Sequence, residues 1–140
     1  MLVVSNTPYG QSATANLQAL KKALSTKEYS ASEIKVSTAY NPTIYMGWFA
    51  GKHREVKLYE RCIFIDYVLA SNFIDYVLAS NKTKFRRELY IPLSVYHSKS
   101  GRIYYSDHWI SGPHFDHQGG SFEVDSKEKQ VIKSIIYSNK

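Results

Sequence analysis

Nine consecutive residues, FIDYVLASN, occur twice without interruption, at 64–72 and 73–81, and this tandem duplication constrains the fold more than any other feature. A nine-residue insertion turns an α-helix by about 900°, which is a half-turn out of phase. An odd-numbered insertion also reverses the faces of a β-strand. We therefore expect one copy to keep the core contacts while the other lengthens a helix or loops out around Ser71 and Asn72. Two such short copies are too few for a solenoid.

The length of the chain fits one domain, and we expect residues 1–140 to form it. The longest apolar run, 62–70, is interrupted by Asp66 and is far shorter than the roughly 20 residues that cross a bilayer. No basic leader precedes the first apolar residues, which predicts no signal peptide and a cytoplasmic location. The single cysteine, Cys62, cannot form an internal disulfide, so we expect it to be a small buried residue.

The first half of the chain combines one segment of helical periodicity with several strand-like segments. A hairpin is indicated where a four-residue loop containing Gly51 separates two strand-like segments. In chain order, the pattern predicts a strand at 2–4, a helix launched near 8–12 with Leu17, Leu20 and Leu24 on one face, a strand ending near Tyr40, and hairpin strands at 43–49 and 54–60.

In the second half, segment 62–85 is rich in strand-favouring residues but has the length of a helix, and we predict a helix lengthened by the duplication. The later elements are predicted as a second hairpin of strands 89–95 and 102–110, a short strand at 122–124, and a helix capped by Asp125 and Glu128. This order predicts an α+β fold, with a mainly antiparallel sheet and helices on one face, ferredoxin-like or a related α/β sandwich.

The formal net charge of +6 and the twelve tyrosines would suit a polyanionic partner, with tyrosine rings as stacking surfaces for bases. The densest basic cluster comprises Lys82, Lys84, Arg86 and Arg87. A solvated helix end explains such a cluster equally well.

A second candidate is a group of histidines and aspartates near the C-terminus, comprising Asp107, His108, His114, Asp116 and His117. Imidazole and carboxylate groups are ligands that Zn²⁺ accepts. These residues lie in a region interrupted by glycine and proline, without a fixed helical spacing, so polar residues of a surface loop are the alternative.

The first hairpin carries a carboxylate, Glu55, close across the turn from the aromatic segment 47–49. A carboxylate beside aromatic rings suits a cationic small molecule, through charge pairing and cation–π contact. The alternative is a solvent-facing glutamate paired with Arg54 or Lys57.

The order of several short pieces between residues 13 and 124 resembles the bacteriophage S-adenosylmethionine lyases, long called SAM hydrolases. The spacing between Cys62 and Val95 fits this family when one nine-residue copy is removed. The pieces are a first helix, the Gly-aromatic stretch MGWF at 46–49, a glutamate opening the next strand in REVKL at 54–58, Cys62, the Val-Tyr segment SVYHS at 94–98, and GSFEV at 120–124.

This resemblance implies a trimer of ferredoxin-like or PII-like protomers with active sites between neighbouring chains. It also implies conversion of S-adenosylmethionine to methylthioadenosine and homoserine lactone, without metal or cofactor, because the sulfonium is already an activated leaving group. Glu55 would correspond to the family's essential glutamate, which orients the substrate's ammonium group or balances its positive charge. Tyr45 is the candidate for its tyrosine partner, and Phe49 is the other position that matches.

The family's implied setting is the cytoplasm of the infected bacterial host, where removal of S-adenosylmethionine would counter restriction and methylation. The expected partners are this substrate and two further copies of the chain, with neither membrane nor nucleic acid. A non-enzymatic protein that binds nucleic acid or a host protein through 82–87 is the second hypothesis. A metal-dependent hydrolase built on His108, His114 and His117 is the third.

Overall fold

A computed structural model describes residues 9–73, 83–98, 101–111 and 117–124. The predicted strand at 2–4 and the predicted C-terminal helix lie outside these residues. The described elements are α1 (Tyr9–Leu24), β1 (Tyr29–Tyr40), β2 (Thr43–Phe49), β3 (Lys52–Lys57), β4 (Arg61–Ser71), β5 (Lys84–Pro92), α2 (Leu93–Ser98), β6 (Arg102–Ser111) and β7 (His117–Glu123).

Five of the strands form one antiparallel sheet in the order β1-β4-β5-β6-β7, and β2 pairs with β3 in a separate two-stranded ribbon. Every pairing after β4 joins strands that are consecutive in the chain. No helix among the described residues is long and apolar enough to span a membrane.

The prediction of an α+β, ferredoxin-like or PII-like fold is wrong. Strands dominate the described residues, which contain two short helices beside the sheet. The main error is segment 62–85, where the expected helix is replaced by β4 and the start of β5. Because β4 packs against a core on each face, apolar residues occupy both of its faces and its sequence lacks the alternation of a half-buried strand.

The two faces of β4 belong to two different cores. We call one side of the sheet the helix face, because Ile63, Ile65 and Leu69 pack there in a cluster with Leu20 and Leu24 of α1. The other side is the hairpin face. There a second cluster consists of the buried residues Ile44, Cys62 and Tyr90, with Met46, Leu58 and Phe64 packed against them.

The β2–β3 hairpin is a continuation of the β1–β4 pair, bent over the sheet. Asn41 donates its backbone N–H to the Glu60 carbonyl at 3.2 Å, and Leu58 donates to the Pro42 carbonyl at 2.9 Å, so bonding persists across the bend. Asn41 has a φ of 47°, in the left-handed region that asparagine tolerates better than most residues. This bend brings Ile44 onto the hairpin face.

Several predicted elements are confirmed. Helix α1 carries Leu20 and Leu24 into the core, whereas Leu17 of the predicted face is exposed, and β1 ends at Tyr40 as expected. The first hairpin is also present, but its loop is shorter than predicted, since Ala50 and Gly51 alone separate the strands. Their φ values of 53° and 75° are those of a type I′ turn, which matches the right-handed twist of the flanking strands.

The second hairpin is confirmed in part. Strands β5 and β6 pair, and Leu89 and Ile91 lie in the helix-face core. The expected continuation of the first strand to residue 95 is wrong, because β5 ends at Pro92 and α2 follows it. Proline has no N–H for a strand ladder, and Val95 reaches the same core from the helix instead.

The first copy of the duplication supplies most of β4, so the prediction of a helix lengthened by the duplication is wrong. Asn72, at the end of this copy, donates its backbone N–H to the Glu28 carbonyl and its side-chain amide to the Lys27 carbonyl. Apart from Phe73, the second copy lies outside the described residues.

Removing one copy should preserve the sheet. Ser71 donates its backbone N–H to the Thr83 carbonyl, and eleven residues, 72–82, connect these two positions. Deleting 73–81 leaves a two-residue hairpin connection, and shortening the loop should raise the free energy of unfolding by about 1.5 kcal/mol. Urea denaturation with an unchanged slope would measure this.

A pair of replacements provides the control for this deletion. Nine glycine and serine residues in place of 73–81 should leave the chain folded, whereas the same replacement at 64–72 removes the centre of both cores and should abolish cooperative unfolding. Equal damage from the two replacements would contradict the assignment of β4 to the first copy.

Candidate functional site on the β2–β3 hairpin

The two predicted site residues, Tyr45 and Glu55, are direct cross-strand partners in the β2–β3 hairpin. Residues directly opposite each other project from the same face of a ribbon. Because neighbouring Ile44 packs against the hairpin face of the sheet, Tyr45 and Glu55 project from the opposite, outer side of the ribbon. Glu55 is exposed there and Tyr45 is half-buried.

Two more rings share this outer side. The His53 ring lies 5.1 Å from the Tyr45 ring in an edge-to-face arrangement, and 4.2 Å from the Trp48 indole at an interplanar angle of 45°. The Trp48 side chain is 62% exposed. We call Tyr45, Trp48, His53 and Glu55 the hairpin patch.

A β-bulge explains why Trp48 shares a face with Tyr45. Positions three apart in a regular strand point to opposite sides. Here Tyr45 pairs with Glu55 and Gly47 pairs with Arg54, so Met46 is the extra residue. Gly47 has a φ of 104°, a conformation that side-chain-bearing residues rarely adopt. The bulge therefore shifts the alternation by one residue and aligns Trp48 with His53.

The inner side of β2 is fixed to the sheet at Tyr45. Ser106 of β6 is 1% exposed and donates its hydroxyl hydrogen to the Tyr45 carbonyl at 2.5 Å. Its cross-strand neighbour in β7 is Gly119. A Cβ at Gly119 would overlap the Tyr45 carbonyl oxygen and approach the Met46 Cα to 3.0 Å. The strand can approach this closely only because position 119 has no side chain.

Cys62 lies beneath the hairpin, in the cluster with Ile44 and Tyr90. It is fully buried, as the sequence predicts. Burial, and secondarily the charge of Glu60, raise the pKa of its thiol to about 11. A buried neutral thiol reacts slowly, because the thiolate is the nucleophile. Its reactivity therefore reports whether the hairpin stays docked.

Two of the four residues in the basic cluster proposed for a polyanion, Arg86 and Arg87, are paired with carboxylates. Arg86 contacts Asp66 at 2.9 Å, and Arg87 forms a two-pronged pair with Asp107 through bonds of 2.8 Å and 2.9 Å. Lys82 lies outside the described residues. These two ion pairs leave the arginines less available to a polyanion.

The Arg87 guanidinium is also held by aromatic groups. Its central carbon lies 4.6 Å from the centre of the Tyr105 ring, and it shares a hydrogen bond with the Tyr67 hydroxyl. Burial raises the pKa of Tyr67 to about 12, although the positive charge of Arg87 acts in the opposite direction. The Arg87 guanidinium and its Tyr67 and Tyr105 neighbours thus lie on the helix face of the sheet.

Among the described residues, the structure brings together two of the predicted metal ligands, because His108 of β6 is the direct cross-strand partner of His117 of β7. Asp107 and His108 are adjacent in β6 and point to opposite faces; Asp107 pairs with Arg87, while His108 Nε2 lies 2.9 Å from Glu88 Oε1. His114 and Asp116 lie outside the described residues. Within the described ranges, no group of three or more histidine, cysteine, aspartate or glutamate residues has metal-binding geometry.

Sequence reasoning missed His53, Ser106 and Gly119 as parts of this site. The alternation of β6 indicates that Ser106 faces away from the helix-face core, but nothing in the sequence indicates its partner on β2. Comparison of the chain with protein-family models, curated proteins and solved structures finds no match.

Loosening the contact at Tyr45 should undock the hairpin. Ser106→Ala leaves a carbonyl without its buried donor, at a cost of about 1–3 kcal/mol, and Gly119→Ala forces the two backbones apart. Both variants should raise the rate at which a thiol reagent labels Cys62 by about tenfold or more at pH 8, while circular dichroism shows that the sheet is retained.

Ser37→Ala is the matched control, because Ser37 is an exposed serine on β1. Its labelling rate should equal that of the unmodified chain. If Ser106→Ala and Gly119→Ala also label at that rate, the Tyr45 contact does not hold the hairpin on the sheet.

The raised pKa of Tyr67 predicts a loss of stability at high pH. The folded chain favours the neutral phenol, whose pKa rises from 10 to about 12, so the unfolded chain ionises first. The free energy of unfolding should fall as pH rises from about 10 to 12. Tyr67→Phe removes this part of the fall, so the difference between the two chains should shrink over that interval in urea titrations. A constant difference would contradict the assignment.

Proposed function

We propose that the chain cleaves S-adenosylmethionine to methylthioadenosine and homoserine lactone, with Glu55 and Tyr45 as the residues that act on the substrate. The observation that carries the proposal is their direct cross-strand pairing on the outer side of the hairpin. Glu55 is the carboxylate that the sequence places across the turn from aromatic residues, and Tyr45 is the tyrosine partner that the family resemblance implies. Because the fold is not ferredoxin-like, the architecture of the chain does not support this proposal.

The chemistry needs little from the protein beyond geometry and charge. The substrate carboxylate forms a bond from its oxygen to the γ-carbon, the bond from that carbon to sulfur breaks, and its electron pair stays on sulfur to give a neutral thioether. No proton transfer is required in this step. Holding the methionine tail in the attacking conformation can therefore supply much of the acceleration.

Glu55 is suited to bind the substrate's ammonium group. This contact holds one end of the methionine tail and keeps the carboxylate of the substrate free to attack. Tyr45 lies directly opposite Glu55 in the hairpin, and its ring is suited to a cation–π contact with the sulfonium. The described residues of the site require no metal or cofactor for these roles.

Exclusion of water requires a cover for the hairpin patch, because Glu55 and Trp48 are exposed in the single chain. We propose that a neighbouring subunit supplies it, in a homotrimer with sites between chains, as the resemblance implies. The proposed setting is the cytoplasm of an infected bacterium, where the reaction would remove the methyl donor of the host's methylation systems. Sedimentation of the purified chain measures the assembly.

Purified chain incubated with S-adenosylmethionine and EDTA should release methylthioadenosine, detected by chromatography. Glu55→Gln keeps the size of the side chain and removes the charge, and we expect it to lower the rate about 100-fold, equivalent to about 2.7 kcal/mol of transition-state stabilisation. Tyr45→Phe, which retains the ring, should lower the rate less than Tyr45→Ala.

Glu28→Gln is the matched control, because Glu28 is an exposed carboxylate on a different part of the chain. It should leave the rate unchanged. If the unmodified chain releases no methylthioadenosine, the proposed reaction is excluded. Salt-sensitive retention of the chain on DNA or RNA would then favour the binding-protein hypothesis.

A further inference from the structure

Trp48 presents an indole ring to solvent at the end of the hairpin patch. Trp48 is 62% exposed, and its indole lies against the His53 ring at 4.2 Å. The bulge at Met46 and the type I′ turn at 50–51 fix the strand segments that carry the two rings. The backbone of the hairpin therefore fixes the positions from which the Trp48 and His53 rings project.

Two exposed aromatic residues near the hairpin, Tyr40 at the end of β1 and Tyr59 between β3 and β4, differ from Trp48. Arg61 lies over the Tyr40 ring at 5.6 Å, and Lys57 lies over the Tyr59 ring at 5.9 Å. Each of these rings therefore already has a cation over its face. The neighbour of Trp48 is another ring, tilted by 45° to the indole, and the exposed indole suits a flat uncharged group.

The spacing of the hairpin patch matches a ligand with two different ends. His53 and Glu55 are two positions apart on β3 and project from the same side, about 7 Å from each other. A ring stacked on the Trp48 side and an ammonium group at Glu55 would be separated by this distance or more, a span that the ribose and the aliphatic chain of an adenosyl ligand bridge together. Nucleobases stack on aromatic side chains in this way in nucleic-acid-binding proteins.

We infer that Trp48 and His53 form a stacking site for the purine ring of an adenosyl ligand, whose aliphatic end extends along β3 toward Glu55. The identity of the ligand rests on the proposed function, whereas the stacking site rests on the geometry of the two rings. Glu55 and Trp48 then recognise opposite ends of one molecule. Recognition of the purine does not depend on the charge of the ligand.

Two thioethers that cannot undergo the cleavage separate these contacts. S-adenosylhomocysteine carries both the purine and the ammonium group, while methylthioadenosine carries the purine alone. Calorimetric titration should show that Trp48→Ala weakens the binding of both probes about tenfold or more, and that Trp48→Phe retains most of the affinity. Glu55→Gln should weaken the binding of S-adenosylhomocysteine and leave that of methylthioadenosine unchanged.

Tyr40→Ala is the matched control, because Tyr40 is an exposed aromatic residue at the end of β1 and outside the hairpin patch, and the variant should bind both probes as the unmodified chain does. Unchanged labelling of Cys62 in Trp48→Ala would show that the hairpin remains docked.

Binding of methylthioadenosine that is insensitive to Trp48→Ala would overturn the inference, whether or not cleavage occurs. Failure of both probes to bind the unmodified chain would overturn it as well. Trp48-dependent binding of methylthioadenosine without cleavage of S-adenosylmethionine would support the stacking site and exclude the proposed reaction.

Discussion

The burial of β4 on both faces is the constraint on which the rest of the structure depends. A strand that presents Ile63 and Ile65 to one side and Cys62 and Phe64 to the other needs a separate cover for each. The helices cover one side. Among the described residues, the cover of the other side is the chain's own β2–β3 hairpin, bent back over the sheet. Docking of the hairpin is thus part of folding, and the same docking orients the hairpin patch.

Both faces of the hairpin are therefore constrained by one short stretch of β2. The Tyr45 carbonyl accepts the hydrogen bond of Ser106 on the inner side, while the Tyr45 side chain lies opposite Glu55 on the outer side. The Met46 bulge lies next to this contact and aligns Trp48 with the patch. A substitution at Ser106 or Gly119 would consequently shift the exposed residues of the hairpin patch, although neither position contacts their side chains directly.

The sequence was sufficient for elements whose pattern reports one buried face. Helix α1 and the first hairpin follow from spacing and turn chemistry, and the hairpin places Tyr45 near Glu55. The character of β4 was not accessible in this way, because burial of both faces removes the period of two. The position of Trp48 was not accessible either, because a bulge shifts the alternation by one residue and leaves the composition of the strand unchanged. The contact of Ser106 with Tyr45 joins positions that are distant in the chain, and no local pattern specifies it.

The bend that joins the β1–β4 pair to the β2–β3 hairpin affects which copy of the duplicated segment can form β4. Two copies of the same sequence give the chain two ways to build β4, and the copies themselves provide no basis for choosing between them. The residues that precede each copy provide that basis. If the second copy occupied the strand, Ser71 and Asn72 would replace Cys62 and Ile63 in the buried cores, and burying an amide there without partners is costly. The short link between β3 and β4 would also have to hold nine more residues, breaking the backbone bonds at the bend. A chain with a repeated segment thus keeps a single strand register, because the non-repeated residues beside it distinguish two otherwise equivalent alignments.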